Sequence, residues 1–448
     1  MSDPHPPLLR VALVGHGFMG AAHSQAFRVA PRFFDLPLTP VMSTLVGRNA
    51  AATTTAAEKW GWESTANDWH DVVDDPAIDL VDISSPGSTH VEIAVAALAA
   101  GKHVLCEKPL ANTVAEAEIM ADAAAAAAKK GVFAMVGFTY RRVPAITFAQ
   151  RLVARGALGE IRQVRAQYLQ DWLVDEDGPM TWRLDKAKAG SGALGDIGAH
   201  AIDAVQFITG QTLDSVSGLL HTFVTERPLL DESASQTGLG GVASSERGRV
   251  TVDDVALFTA KLSGGAIGSF EATRFATGRK NAFRIEISGS EGALAFDLER
   301  ENELEYYDGT APADLLGFKR ILVTEPEHPY YANWWPTGHT IGYEHGFSHQ
   351  LVDLVGALAA GSSRRRRSPT ASRCSGCSTP SSAAPETAAP GPSRPPQRPK
   401  EETHEHHPTD HPVHRPVGRP AVRRGVQARR RLGVRRAGDR LLGRPPGS

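Results

Sequence analysis

The segment GDIGAHAID, residues 195–203, places two carboxylates and an imidazole among glycines and apolar residues. On a helix, Asp196, His200 and Asp203 stand at i, i+4 and i+7 and share one face. An imidazole titrates near neutral pH, so it can take or return a proton, and a neighbouring carboxylate can orient a hydroxyl. Gly195 and Gly198 keep that face bare, as close approach of a small polar molecule requires. The same spacing also suits a buried His–Asp pair that only holds a helix in place. The rest of the chain has to separate the two readings.

A second chemical signal lies near the start. VALVGHGFMG sets Gly15, Gly17 and Gly20 in G-x-G-x-x-G, with Phe18 and Met19 between the last two, directly after a strand signal and opening a helix. That context suits a dinucleotide pyrophosphate. Gly15 permits the tight turn, Gly17 lets backbone approach the anion, and Gly20 lets helix and strand pack closely. The residue after the second strand reads the ribose, and here LVGRNAA supplies Arg48 and no carboxylate. An arginine suits the 2′-phosphate of NADP and an acid the 2′-hydroxyl of NAD, so the reading is NAD or NADP with a lean to NADP. SSPGSTH, following the third strand, offers Ser85, Pro86 and His90 as further cofactor contacts.

Elements must hold these groups in place. Over the first 135 or so residues, strand and helix signals alternate: LLRVALVG, VMSTLVG, LVDISS, HVLCEKP and VFAMVGF read as strands with helical runs between them. Repeated βα units predict a doubly wound parallel sheet of Rossmann type over 8–137. After residue 138 the runs become longer and alternate with period two, as in EIRQVRAQYLQ, DSVSGLLHTFV, VDDVALFTAKL, AIGSFEATRFA, FRIEISGS, GALAFDL and NELEYYDG. They predict an α+β domain with an open, mainly antiparallel sheet over 138–361. PLLDESASQTGLGGVASSERGR reads as a polar loop within it.

The net charge of −2 hides an asymmetry. Residues 362–448 carry 18 Arg and 1 Lys against 6 Asp or Glu, a charge of +13, which leaves −15 on the body. An acidic body argues against nucleic-acid binding. There is no apolar run of membrane-spanning length and no signal-peptide pattern at the start. Cys106 is the single cysteine of the body, which suits a reducing, cytoplasmic setting. Read literally, the tail is a disordered basic segment of low complexity. The preferred reading is an out-of-frame translation. Back-translated with GC-rich codons and shifted one base, SPTASRCSGCSTPSSA yields an amphipathic helical sequence, and resequencing through the codons for Arg364–Arg367 tests this. The Cys374–Cys377 pair is then accidental, and no metal site is expected.

The glycine loop GHGFMGAAHSQAF, the strand end AGKHVLCEKPLA and the segment GSGALGDIGAHAID together resemble the Gfo/Idh/MocA oxidoreductases over about residues 8–360. The resemblance implies a nicotinamide-dependent oxidoreductase acting on a secondary alcohol or ketone of a sugar, cyclitol or related polyol. It also implies a homo-oligomer assembled through the open sheet. Its Glu-Lys-Pro motif falls on Glu107, Lys108 and Pro109, with a peptide before the proline that is often cis; the resemblance implies that Glu107 and Lys108 belong to the cofactor site, with Lys108 near the nicotinamide and the reacting oxygen. Its D-x-G-x-H pattern falls on Asp196, Gly198 and His200. His200 would then exchange the hydroxyl proton, Lys108 would stabilise charge on oxygen, and Asp196 would bind or orient substrate. Asp203 would support His200 from behind or serve the helix alone. Tyr140, Trp172, Trp182 and Arg183, with Arg141 and Lys186, are candidate substrate contacts. His339, His345 and His349 are too irregularly spaced for a metal. Two departures stand out: the acidic ribose reader is absent, and the family's C-terminal helix is missing in this frame. A non-catalytic nucleotide- and sugar-binding regulator and an NAD-dependent glycosidase share the fold and remain rival readings.

Overall fold

Short runs of Val, Leu and Ile between helices become a parallel sheet. The computed structural model describes residues 6–230 and 242–367, with side chains through 361. The first sheet comprises β1 (Leu8–Val14), β2 (Thr39–Val46), β3 (Ser64–Ala66), β4 (Leu80–Ile83), β5 (His103–Cys106) and β6 (Ala134–Val136). Its order is β3-β2-β1-β4-β5-β6, and all pairs are parallel. Five strands match the expected ones. The edge strand β3 was not expected, because three residues carry no period.

The helices between them are α1 (Phe18–Phe33), α2 (Ala50–Trp60), α3 (His70–Asp74), α4 (His90–Ala99) and α5 (Val114–Ala128). Local chemistry fixes their ends. The Asn49 side chain accepts from Ala52 N at the start of α2, and Gly61 stops that helix at φ +81°. Thr113 and Glu116 form a capping box on α5. The sheet order reverses where β1 lies beside β4, so their carboxyl ends open the crevice in which ligands of such sheets sit.

The second sheet is mixed, in the order β16-β15-β14-β13-β7-β12-β11-β8. It contains β7 (Ile161–Leu169), β8 (Leu213–His221), β11 (Val255–Leu262), β12 (Ile267–Thr273), β13 (Ala282–Gly289), β14 (Gly292–Asp297), β15 (Glu303–Asp308) and β16 (Lys319–Leu322). Only β7 and β12 pair in parallel. All seven period-two runs are strands here, and β16 is an addition. Helices α6 (Pro144–Ala154) and α8 (Ala199–Thr209) cover one face; Val164, Ala166 and Tyr168 of β7 point into that core, with Ile146, Ala149, Val205 and Ile208. The other face carries Arg165, Gln167, Glu271, Glu286 and Asp297 around a hollow of about 790 Å³.

Three expectations need correction. The polar loop at 228–249 is partly strand: β9 (Glu226–Leu230) and β10 (Ala243–Arg249) pair antiparallel, the inner residues being 231–241, outside the described ones. GDIGAHAID is not a plain α-helix. Residues 194–198 form a π turn that continues into α8, after the short α7 (Lys186–Ala189). The aromatic- and His-bearing end of the body leads into a 25-residue helix, α9 (Tyr343–Arg367). Its Leu351, Leu354, Val355 and Leu358, spaced i, i+3, i+4 and i+7, are buried against Leu9, Val11 and Phe27 of the parallel sheet and α1. Each such leucine contributes roughly 1.5–3 kcal/mol. The packing therefore returns α9 to the first unit, and the single boundary expected near 138 does not separate the two cores. The proposed frame change and the helix expected beyond it lie outside the described residues.

Candidate active site

The glycine loop forms the first wall. Gly15 has φ +101°, and a Cβ there would lie 2.9 Å from Ser85 N. A Cβ on Gly20 would lie 2.2 Å from the Gly15 carbonyl oxygen, so loop and helix close on one another only through glycine. Gly17 differs: it is exposed, and a Cβ there would meet nothing within 4 Å. No protein atom requires that glycine, whereas a ligand lying on the loop would. Gly17 also begins α1 without a side-chain cap, so the first N–H groups of the helix point at the crevice unanswered by a side chain. The donor set and the open cradle fit a dinucleotide pyrophosphate.

Ser84 ties the loop to β4 by donating to the Gly15 carbonyl at 2.9 Å. Ser85 and Pro86 line the same edge. The Ser85 hydroxyl is bonded to Thr89, and Pro86 opens a short turn before α4. His90 is buried, with Nε2 2.9 Å from Ser85 O and Nδ1 3.0 Å from Pro109 O. Its ring joins two loops of the crevice through their backbones. Phe18 is exposed and stacks on Tyr343, Met19 is half-buried, and Arg48 is exposed with no bond to the other described residues.

Lys108 follows β5 at the carboxyl edge of the parallel sheet, and its peptide with Pro109 is cis. Its Nζ donates to the Asp196 carbonyl at 2.7 Å and lies 3.5 Å from Asp196 Oδ1. The carboxyl edge of the parallel sheet thus meets the π turn that precedes α8. Burial alone would hinder ionisation of Asp196, but Lys108, Arg274 and Arg183 outweigh it and hold the carboxyl below its ordinary range. Burial, and then the charge of Lys108, push His200 well below the usual imidazole value. It is therefore neutral at neutral pH. Its ring packs 4.6 Å from Tyr140, and Nδ1 is buried with no partner.

Asp203 does not bond to His200. Arg141 Nε and Nη2 both donate to its carboxylate, which burial nevertheless raises in pKa. Tyr140 belongs to a polar chain on the inner face of the second sheet. Its hydroxyl is 2.6 Å from that of Tyr168, which donates to Asn281, and burial pushes Tyr140 up to about 12. Gln170 donates to the same Asn281 oxygen and accepts from Trp172 Nε1. Arg183 lies over the ring of Trp182, 4.5 Å from its centroid. Lys186 Nζ forms no ion pair among the described residues. His349 is structural, accepting from Trp334 and donating to Arg142 O.

Several residues of this site escaped the sequence reading. Arg274, at the end of β12, is fully buried under Trp172; its Nη1 stands 3.6 Å from Asp196 Oδ2 and its Nη2 donates to Asp253 O. The Asp253 carboxylate accepts from Gly192 N and Leu194 N and so fixes the start of the π turn. Tyr168, Gln170 and Asn281 were also missed. The available signal was a charged residue at the end of a period-two strand, in EATRFA, which needs a partner wherever it is buried.

A glycine cradle at the switch point and a Lys–Asp–His cluster beside it define a dinucleotide-dependent oxidoreductase. The chain matches the model of the oxidoreductase family with an NAD-binding Rossmann fold over residues 9–138, and the Gfo/Idh/MocA C-terminal domain over 146–295. It is 42% identical to levoglucosan dehydrogenase of Pseudarthrobacter phenanthrenivorans, over 79% of this chain and 90% of that one. Among solved structures, an oxidoreductase domain protein from Kribbella flavida is 61% identical, with TM-score 0.75, over 79% of this chain and 91% of that one. A levoglucosan dehydrogenase in complex with NADH and levoglucosan is 40% identical, with TM-score 0.73, over 79% and 90%. The chain belongs to the Gfo/Idh/MocA family of NAD-binding oxidoreductases.

Proposed function

We propose that the protein oxidises a ring secondary alcohol of a sugar, anhydrosugar or cyclitol, or reduces the matching ketone, with Lys108, Asp196 and His200 as its catalytic residues. The observation that carries this is the buried, unpartnered His200 Nδ1 near a lysine held on Asp196, where burial and the lysine's charge both favour the neutral ring. When bound, the nicotinamide accepts or returns hydride. Neutral His200 takes the hydroxyl proton. Lys108, donating to the same oxygen, stabilises the charge that develops there. Asp196, ionised among three cations, accepts from a second hydroxyl and orients the ring. Trp172, Trp182 and Arg183 supply faces and donors for the remaining hydroxyls, and Tyr140 backs the His200 ring. Gly15, Gly17, Phe18, Met19, Gly20, Ser85 and Pro86 hold the cofactor, with His90 and Glu107 supporting its loops.

NAD is favoured by the family and by the relatives that carry NADH. Arg48, with no carboxylate beside it, is the reason to measure NADP in parallel. The outer sheet face, where Leu219 and Leu257 are exposed among paired charges, suits a second copy, so the working form is a homo-oligomer. Residues 8–137 with α9 would bind cofactor and 138–342 substrate, in the cytoplasm. Purified protein is assayed by absorbance of reduced nicotinamide with each cofactor against levoglucosan, myo-inositol and scyllo-inositol. Turnover of any of them supports the reading. Saturable NADH binding without turnover of any sugar or cyclitol would overturn the substrate class.

A further inference from the structure

Behind Lys108 lies a buried ionic group that the proposed reaction does not use. His23, on the inner side of α1, is 2% exposed; its Nδ1 is 2.7 Å from Asp82 Oδ2 on β4 and its Nε2 3.1 Å from Glu107 Oε1 after β5. Asp82 and Glu107 are buried as well. Both ring nitrogens face carboxyl oxygens, so with Asp82 and Glu107 ionised each nitrogen makes its hydrogen bond as a donor and the ring carries both protons. Glu107 also holds the next residue, since its Oε2 accepts from Lys108 N at 3.2 Å. The space is closed, because a Cβ on Gly137 would lie 2.6 Å from Glu107 Oε1, and Phe347 of α9 covers the imidazole at 5.5 Å. The other titratable neighbours, the Cys106 thiol and the Tyr343 hydroxyl, are both held neutral by burial.

We infer that His23 is a positioning residue for Lys108: as an imidazolium bridging Asp82 and Glu107 it fixes the Glu107 carboxylate, which fixes the Lys108 backbone and so aims its ammonium. The inference rests on the reading of Lys108 as catalytic. Burial opposes a charged His23, but Asp82 and Glu107 outweigh it and raise the ring to about 10. The chain of contacts runs from the cofactor helix α1 through Glu107 to Lys108 and on to Asp196 O. A neutral side chain at 23 would leave two buried carboxylates facing one another without a cation, and Glu107 would turn away from the Lys108 amide.

The test uses the full chain. Histidine side-chain NMR of the wild type reads the charge directly, with the resonance assigned by its contact to Phe347. It is expected to remain imidazolium to about pH 9, and an ordinary titration near the usual value of about 6.5 would overturn the inference. In parallel, His23→Asn is expected to lose on the order of 100-fold in kcat at unchanged NADH affinity, the cost of a misplaced catalytic group, and Glu107→Gln to lose kcat by a similar factor. The acid limb of kcat/KM should also move to higher pH, because a displaced Lys108 no longer depresses His200. Simple loss of folded protein would leave that limb in place. Wild-type kcat and pH profile in a folded His23→Asn, beside an impaired Lys108→Met, would overturn this inference alone. Wild-type kcat in Lys108→Met would overturn the reading of Lys108 itself. If neither His23→Asn nor Glu107→Gln folds, the NMR titration decides.

Discussion

Replacing Lys108 with methionine keeps most of the side-chain length and removes one charge and its donors. The structure sets the scale. Nζ stands 3.5 Å from Asp196 Oδ1, where two unit charges attract by about 5 kcal/mol at an effective dielectric of about 20. An oxygen that becomes an alkoxide within reach of the same ammonium gains part of that. Loss of one such donor costs about 3–4 kcal/mol in other acyl- and alkoxide-forming sites, which is a fall in kcat of about 10²–10³-fold. The pH dependence moves with it. Lys108 is the second cause, after burial, of the low His200 pKa, so its removal lets His200 hold a proton at higher pH. Protonated His200 cannot act as base, so the acid limb of kcat/KM shifts upward. Asp196 keeps Arg274 at 3.6 Å, so it stays ionised and the fold survives. Steady-state rates over a pH series, with NADH binding by fluorescence as the control, read both effects. A kcat within about threefold of wild type, or a loss confined to KM, would refute a charge-stabilising role for Lys108.

Other substitutions separate packing from ligand. Gly17→Ala meets no protein atom within 4 Å, so thermal stability should change by less than about 0.5 kcal/mol while NADH binding, followed by fluorescence, falls sharply. Gly192→Ala would set its Cβ 1.8 Å from Asp253 O, and denaturant melts should show a loss above about 3 kcal/mol. Asp196→Asn removes a carboxylate that three cations hold ionised, so KM for the polyol should rise with kcat falling and cofactor affinity unchanged. His23 is raised to about 10, so its contribution to stability is complete below the unfolded value of about 6.5 and fades as pH rises towards 10. Burial raises Asp82 and offsets part of it. Thermal melts of the wild type should fall across that alkaline window by more than those of a folded His23→Asn.

Much of the fold was legible in the sequence because the determinants are local. Alternation with period two gave the strands of the second sheet, β-branched runs between helices gave the parallel one, and glycine at 15 and 20 marked a turn that only glycine can form, with Gly17 left open between them. Lys108, Asp196 and His200 could be named as candidates because residue type and spacing narrow the chemistry, and the fold brings Lys108 onto Asp196. What surrounds them was decided by the tertiary structure. Arg274 and Asp253 meet the π turn from distant strands, and His23 reaches Asp82 and Glu107 across 59 and 84 residues of chain. Asp203, one turn beyond His200 in sequence, turned instead to Arg141. Helix α9 joined the first unit although it follows the second, since its leucines match the bare face of the parallel sheet and α1. A local pattern states which face of an element must be buried. Which distant face or charge meets it depends on how the sheets stack, and that lowers the free energy only once the whole chain has closed on itself.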